Sequence, residues 1–246
     1  MGRKVLLFVV AASILNASVP KGVELEVGSV GLSFGPLYRG ATAQLELYPL
    51  LVVRYKNFYF EGLLAGYRLY RDRRLSVAIE VVPTLNDYES DISSFLAGME
   101  DRKAAWETGF DIDYALDKGR FSAKLMRDWQ GVHRGWGLVA EYGKNLVVTD
   151  RGLTAGYLGA EYSDPLKSNY YYGVQPKEAR SWRPAYKAGG AVASFVGLTH
   201  FYQIGKQISC MGNLEYRHFD NAVTDSPIVG RHYQLSAYAG FLYKIQ

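Results

Sequence analysis

One stretch of the chain decides the fold, and it runs Trp106-Glu107-Thr108-Gly109-Phe110-Asp111-Ile112-Asp113-Tyr114. Apolar and aromatic residues, with one threonine among them, alternate here with glycine and acidic residues. Successive side chains of a β-strand point to opposite faces, whereas a helix would mix the two sets around its circumference. The stretch therefore predicts a strand with one apolar and one polar face.

The same alternation recurs at 75–82, 208–217 and 233–245, in runs of roughly ten residues. Strands of that length are long for a globular protein and match tilted strands that cross a bilayer. The alternation alone is compatible with a soluble sandwich, whose apolar face is the core, or with a membrane barrel, whose apolar face meets lipid. Strand length and the aromatic residues near strand ends favour the barrel.

The beginning of the chain has the pattern of a secretory signal peptide. Arg3 and Lys4 precede an apolar run from Val5 to Ala12, and small residues follow at Ala17 and Ser18. We therefore expect residues 1–18 to be a signal peptide and residues 19–246 to form one domain. After residue 20 no apolar stretch approaches the ~20 residues of a membrane helix, so a membrane location requires a closed barrel.

Composition excludes several other classes of protein. The formal charge is only +4 and no long lysine or arginine run is present, so nucleic-acid binding has no support. Cys210 is the single cysteine, which rules out an internal disulfide and a cysteine metal framework. The 20 tyrosines favour strands and the membrane–water interface.

The connections predict the layout of the barrel. Five longer polar segments lie near 34–44, 86–104, 129–134, 163–188 and 219–231, and tight turns such as 117–119 and 205–207 lie between them. Long loops on one side and short turns on the other are typical of bacterial outer-membrane barrels. Five loops predict a transmembrane antiparallel up-and-down β-barrel of ten strands. Because the segment from Leu45 to Leu85 contains three strand-like runs where two are needed, twelve strands is the alternative.

Charged residues on the polar strand faces are predicted to face the lumen, and they are Glu107, Asp111, Asp113, Glu215 and Arg217. Such carboxylates could bind a cation. Inward-facing pairs with residues such as Lys124 are a common filling of barrels, and we favour them over a metal site. No cofactor or metal site is predicted.

The last long loop raises the question of catalysis. His218, Ser226 and His232, with Asp220 and Asp225 nearby, could in principle form a Ser/His/Asp hydrolase. Loops are rich in these residues for ordinary turn reasons, and a triad is defined by geometry that spacing does not supply. We therefore predict no catalytic residues. A hydrolase of lipid A or phospholipid is kept as a rival function, and a small pore as another.

Three stretches carry a family resemblance: Asp101-Arg102-Lys103, Tyr170-Tyr171-Tyr172-Gly173-Val174 with Lys177-Glu178, and Val223-Thr224-Asp225-Ser226-Pro227-Ile228-Val229. With the early segments 48–50 and 58–62, they resemble the MipA/OmpV family of outer-membrane barrels. The resemblance implies a non-enzymatic scaffold in the outer membrane of a Gram-negative bacterium. Its implied partners are a bifunctional murein synthase and a membrane-bound lytic transglycosylase on the periplasmic side.

The chain departs from the family pattern in two places. The last strand ends on Ile245 and Gln246, where barrels of this kind usually end on an aromatic residue. The segment from Arg180 to Lys187 is shorter than the family pattern leads us to expect. The tyrosines at 170–172 could either bind a partner or fold their loop over the barrel mouth.

Overall fold

The computed structural model describes residues 21–245, apart from the side chain of Gln44, and shows a closed antiparallel β-barrel. The predicted signal peptide, residues 1–18, lies outside the described range. Each strand pairs with its neighbours in the chain, and the last strand pairs with the first. The strands are β1 Val23–Phe34, β2 Gln44–Tyr55, β3 Phe58–Glu61, β4 Leu64–Arg71, β5 Leu75–Pro83, β6 Trp106–Leu116, β7 Gly119–Asp128, β8 Trp136–Val148, β9 Gly152–Ser163, β10 Ala191–Ile204, β11 Ile208–Phe219 and β12 Tyr233–Ile245.

Helical structure is confined to the connections. The helix α1 spans Pro165–Tyr172, the single turn α2 spans Asn221–Thr224, and 3-10 turns lie at Ser90–Ile92 and Pro176–Glu178. Within the described range, no helix is both long and apolar enough to cross a bilayer.

The period-two alternation sorts side chains between the outside and the lumen. Phe110, Leu214 and Leu235 are about half exposed on the outer surface, at 49%, 56% and 48%. Glu107 and Glu80, on the opposite faces of their strands, are buried inside. The barrel is thus apolar outside and polar inside, which confirms the predicted membrane-barrel class.

The two ends of the barrel differ. The connections 35–43, 84–105, 129–135, 164–190 and 220–232 all lie at one end, which we call the loop end. At the other end, the turn end, five connections have only two or three residues each, and the first strand begins and the last strand ends there. The five long loops predicted from the sequence are therefore all present and on one side.

The preferred count of ten strands is wrong, and the alternative of twelve is confirmed. The difference lies between Leu45 and Leu85, which holds the four strands β2 to β5. β3 has only four residues, too few to show a convincing alternation in the sequence. A sixth connection at the loop side, the turn at Gly62 and Leu63, was not predicted because it is so short.

The first and last loops meet above the seam where β1 pairs with β12. The Arg39 N–H donates to the Ile228 carbonyl at 2.8 Å, and the Gly230 N–H donates to the Leu37 carbonyl at 2.8 Å. The Arg39 Nε also donates to the Val229 carbonyl at 3.0 Å. The barrel is therefore held closed at the loop end by loop contacts as well as by strand pairing.

Candidate functional site

The loop end is covered by a packed layer, which we call the cap and which comprises residues 35–43, 84–105, 164–190 and 220–232. These loops bury their apolar side chains against one another. The cap core includes Leu37, Tyr88, Leu96, Met99, Tyr171, Tyr172, Val174, Val223, Ile228 and Val229. These side chains form one continuous apolar core at the loop end of the barrel.

The three family stretches belong to three loops, and the structure brings them together in the cap. Arg102 is 4% exposed and donates to both Glu178 carboxylate oxygens, at 3.0 and 2.9 Å. It also donates to the carbonyls of Tyr170, at 2.7 Å, and Glu100, at 2.8 Å. Asp101, its exposed neighbour, accepts from the Ser90 N–H at 2.8 Å. Arg102 therefore ties two loops together.

The ionisation of Glu178 follows from these contacts. Burial raises the pKa of its carboxyl group, but the hydrogen bonds from Arg102 and from the N–H groups of Glu100 and Gln175 outweigh burial. The pKa of Glu178 therefore lies below its ordinary value. The carboxylate is the stable form in the folded cap, as a buried bidentate partner of arginine requires.

The tyrosine run folds the cap. Tyr171 is fully buried, and its hydroxyl forms a 2.8 Å hydrogen bond with the Thr84 hydroxyl. The Tyr170 hydroxyl accepts from the Lys103 N–H at 3.0 Å. Gly173 ends α1 where a Cβ atom would lie 2.3 Å from the Asn169 carbonyl oxygen, so only glycine fits. Of the two roles left open for these tyrosines, the structure supports loop folding.

The third stretch completes the same layer. Ser226 is 1% exposed, and its hydroxyl donates to the Tyr172 carbonyl at 2.6 Å. Asp225 is exposed at the end of α2, and Pro227 lies partly buried between Ser226 and the core residue Ile228. Thr224 is partly buried beside them. These residues build the turn that returns the chain to β12.

The residues of the hydrolase hypothesis are not assembled. His218 is exposed on the outer face of β11, and His232 is exposed just before β12. The Ser226 hydroxyl is buried and donates to the Tyr172 backbone carbonyl. Among the described residues, the structure does not place His218 or His232 as the base that a Ser/His/Asp arrangement requires.

A chain of ion pairs lies in the lumen directly below the cap. Lys167 of α1 reaches down to Glu107 on β6 at 3.0 Å and to Glu161 on β9 at 3.6 Å. Glu161 also accepts from Arg217 on β11 at 2.6 Å, and Arg217 pairs with Glu215 at 3.0 Å. This chain of ion pairs, which we call the upper network, joins the cap to three strands. It contains three of the five charges predicted to face the lumen.

The other two predicted charges lie closer to the turn end. Asp111 lies 3.6 Å from Lys124, which also binds Glu80 at 2.8 Å, and Asp113 lies 3.3 Å from Arg120. Lys124 was anticipated as a partner. Within residues 21–245, no group of three His, Cys, Asp or Glu side chains is placed to hold a metal ion.

Sequence reasoning missed two members of the upper network. Glu161 lies on β9 and could have been found from the period-two pattern of that strand. Lys167 lies in a loop helix, and nothing in the sequence indicates that a loop lysine points back into the lumen. Asp164, which accepts from the Lys167 N–H at 3.0 Å, caps α1 and sets its direction.

A cavity of about 370 Å³ lies between the upper network and the cap. Its walls include the network residues, and on the side of β2 they include Glu46 and Tyr48. The cap contributes Asp87 and Tyr88. The cavity is lined by more carboxylates than cations, because Lys167 and Arg217 face five acidic side chains, Glu46, Asp87, Glu107, Glu161 and Glu215.

The turn end presents a different surface. Its five turns carry exposed basic side chains that outnumber the acidic ones by six to three. The basic residues are Lys56, Arg73, Arg74, Lys118, Arg151 and Lys206, and the acidic ones are Asp72, Asp117 and Asp150. An exposed basic rim of this kind favours an acidic partner.

Comparison with known proteins gives a consistent family assignment. The family model described as MltA-interacting protein MipA matches residues 29–245. The chain is 27% identical over 205 residues to the MltA-interacting protein of Escherichia coli K12, covering 81% of this chain and 82% of that protein.

Two relatives from Vibrio match over a shorter part. Outer membrane protein Omp26La of Vibrio anguillarum is 31% identical, and outer membrane protein OmpV of Vibrio cholerae is 29% identical, each over 144 residues. Both matches cover 58% of this chain and 55% of the relative. Among solved structures, the NanC porin aligns with a TM-score of 0.43 at 10% identity, covering 89% of this chain and 98% of that one.

Proposed function

The chain belongs to the MipA family of outer-membrane β-barrels, and from this premise we propose that it works by binding, as a scaffold for murein enzymes. The partners we propose are a lytic transglycosylase, in line with the name of the Escherichia coli relative, and a bifunctional murein synthase. Both would be held at the periplasmic face of the outer membrane.

The observation that carries this proposal is the basic rim of the turn end. Short turns of outer-membrane barrels face the periplasm, where murein is made and cleaved. Six exposed basic side chains on five short turns form a surface that can recognise an acidic patch on a partner. Because these turns are short, the surface is preorganised and little entropy is lost when a partner binds.

The cap favours binding over conduction. A pore requires an open path along the barrel axis, and the cap places a buried apolar core across that path. Below it, ion pairs between Lys167, Glu161 and Arg217 extend into the upper lumen. The rival function as a small pore would require this layer to move aside.

The experiment is a capture assay with the tagged barrel and purified lytic transglycosylase and murein synthase. We expect Lys118→Glu with Lys206→Glu to weaken capture several-fold, more strongly at low salt, because rim charges act through screened electrostatics. The matched control is Lys187→Glu, an exposed lysine on the opposite side of the membrane, which should leave capture unchanged.

Equal capture by the double variant and the wild type would contradict the role of the turn end. Heat-dependent migration on gels establishes that each variant is folded. A change in lipid A or phospholipid acylation that disappears with Ser226→Ala, with capture unchanged, would instead support the hydrolase.

A further inference from the structure

The barrel wall is interrupted beside the short hairpin. The last bond between β2 and the hairpin runs from the Gly62 N–H to the Leu51 carbonyl, at 2.9 Å. β3 pairs only with residues 52–55 of β2, so among the described strands nothing pairs with residues 44–50 on that side. On the far side, the pairing of β4 with β5 ends at Val81.

The interruption is framed on all sides. Its floor is the turn at Gly62 and Leu63, and its sides are residues 44–50 of β2 and residues 82–87 after the end of β4 pairing. Its upper edge is closed by the Ser93 hydroxyl, which donates to the Arg39 carbonyl. We call this opening the side window.

Each vertical edge of the side window carries a proline. In an antiparallel strand, alternate residues direct their N–H and C=O groups to opposite neighbours. The Leu51 carbonyl accepts from the hairpin, so the backbone of Pro49, two residues earlier, also faces the window. On the opposite edge, the Thr84 N–H donates to the Ala105 carbonyl, on the β6 side, at 2.8 Å. The backbone of the preceding residue, Pro83, therefore faces the window. Each edge therefore lacks the donor at its proline, which disfavours the addition of another strand.

The outer rim of the side window is apolar. Leu45 and Leu47 are 72% and 70% exposed, more than any other large apolar side chain on the described surface, and Leu85 on the opposite edge is 45% exposed. Pro83 is paired with Trp106, so the window lies level with the outer aromatic residues. Such residues mark the membrane–water interface, where the head group of an amphiphile lies.

The inner rim is acidic and opens on the cavity beneath the cap. Glu46 and Tyr48 line it from β2, and Asp87 lines it from the cap. The lumen cations Lys167 and Arg217 are engaged by Glu107, Glu161 and Glu215, and no cation of residues 21–245 lies within 4.0 Å of Glu46 or Asp87.

A buried polar group in the same wall also lacks a partner. The Tyr88 hydroxyl has no hydrogen-bond partner among the described residues, although Tyr88 is only 4% exposed. A buried hydroxyl without a partner is costly, and a ligand head group or water in the cavity would satisfy it.

We propose that the side window admits a single-chain amphiphile with a cationic head from the outer leaflet of the membrane. The head enters the cavity and pairs with Glu46 and Asp87, while the alkyl chain stays outside along Leu45 and Leu47. The negative charge of the inner rim selects a cationic head group, and the apolar outer rim selects an alkyl chain. Because the cap covers the loop end, the ligand enters sideways, through the side window.

The experiment uses fluorescence quenching by brominated chains. All four native tryptophans are replaced by phenylalanine and one tryptophan is introduced, at Tyr48→Trp on the inner rim. The barrel is placed in phosphatidylcholine vesicles that contain a trace of a dodecyl amphiphile, brominated on the chain carbons next to its head, which is either a primary ammonium or a sulfate. We expect the ammonium form to quench at about fivefold lower concentration, the scale of one partly screened ion pair.

Two positions serve as controls. Leu198→Trp, on the outer surface, should be quenched equally by both amphiphiles, and Tyr157→Trp, inside the opposite wall, by neither. Glu46→Gln with Asp87→Asn in the Tyr48→Trp background should remove the preference without changing gel migration.

Three results would overturn the proposal. The first is quenching at position 48 no stronger than at position 157. The second is equal quenching by the two head groups, and the third is dimerisation. A dimer that forms through β2 and prevents quenching would show that the window takes a strand of a second copy instead.

Discussion

Arg102 and Glu178 lie 76 positions apart in the chain and form a bidentate ion pair in the cap, with both side chains almost completely buried. Arg102 also binds two backbone carbonyls, so the pair organises the loop around residues 84–105 against the loop that follows α1. Because the pair is buried and charged, a single substitution in it is expected to lower the stability of the cap.

We predict that Arg102→Ala destabilises the cap by about 3–5 kcal/mol, because it leaves a buried carboxylate without a cation. Limited proteolysis of the folded barrel should then cleave within residues 84–105 and 164–190. Lys177→Ala, which removes an exposed pair with Glu100, should cost less than about 1 kcal/mol. Equal protease resistance of the Arg102 and Lys177 variants would show that the buried pair does not hold the cap.

The same pair predicts a dependence on pH. The pKa of Glu178 is lower in the folded cap than in the unfolded chain, so its contribution to stability is complete above the ordinary glutamate pKa. That contribution is lost as the pH falls through the folded pKa. Proteolysis with an acid-active protease should reveal opening of the wild-type cap at low pH, and Glu178→Gln should be opened already at neutral pH.

The orientation of the β12 side chains predicts that arginine substitutions at two neighbouring positions lower the free energy of unfolding by different amounts. Leu235 lies on the apolar exterior and Ser236 lines the internal cavity. Leu235→Arg should cost up to about 2–4 kcal/mol, depending on its depth in the bilayer, and Ser236→Arg clearly less. Unfolding in urea from lipid vesicles measures both, and equal costs would mean that the assigned facing is wrong.

Ser226→Ala and His232→Ala should leave partner capture intact. Ser226→Ala removes a buried hydroxyl and leaves the Tyr172 carbonyl without its donor, at a cost of about 1–3 kcal/mol in cap stability. His232 is exposed, so His232→Ala should be close to neutral. Loss of all function in both variants, with the cap still protease-resistant, would favour the hydrolase hypothesis.

Much of the fold follows from local chemistry. The period-two pattern around Phe110 or Leu214 is set by lipid on one face of the strand and the polar lumen on the other. It identifies the strands, the facing of their side chains and the lumen charges without knowledge of the strand partners. The hairpin at Phe58–Glu61 was missed as a separate pair of strands because its four residues are too few for a pattern. The opening in the barrel wall follows from the greater length of the strands on either side of the hairpin and not from the sequence of the hairpin itself.

The cap could not be predicted in the same way. Its loops have no regular period, so the contacts of Arg102 with Glu178 and of Ser226 with Tyr172 depend on the barrel bringing distant segments to one end. The family resemblance marked these residues without indicating their role. The position of α1, whose Lys167 reaches into the lumen, became visible only in three dimensions.

The loop contacts across the seam determine the end of the barrel from which β1 and β12 separate first. At the loop end, separation of β1 from β12 requires the bonds of Arg39 and Gly230 to break along with the ladder, whereas at the turn end residues 21–245 add no such loop contact to the ladder. Opening must therefore begin near Leu25 and Ile245 and progress outward. During folding the order is reversed, because the loop contacts join the two ends of the barrel sequence and can form only when the whole chain is present. Once formed, these contacts slow the dissociation of the first strand from the last.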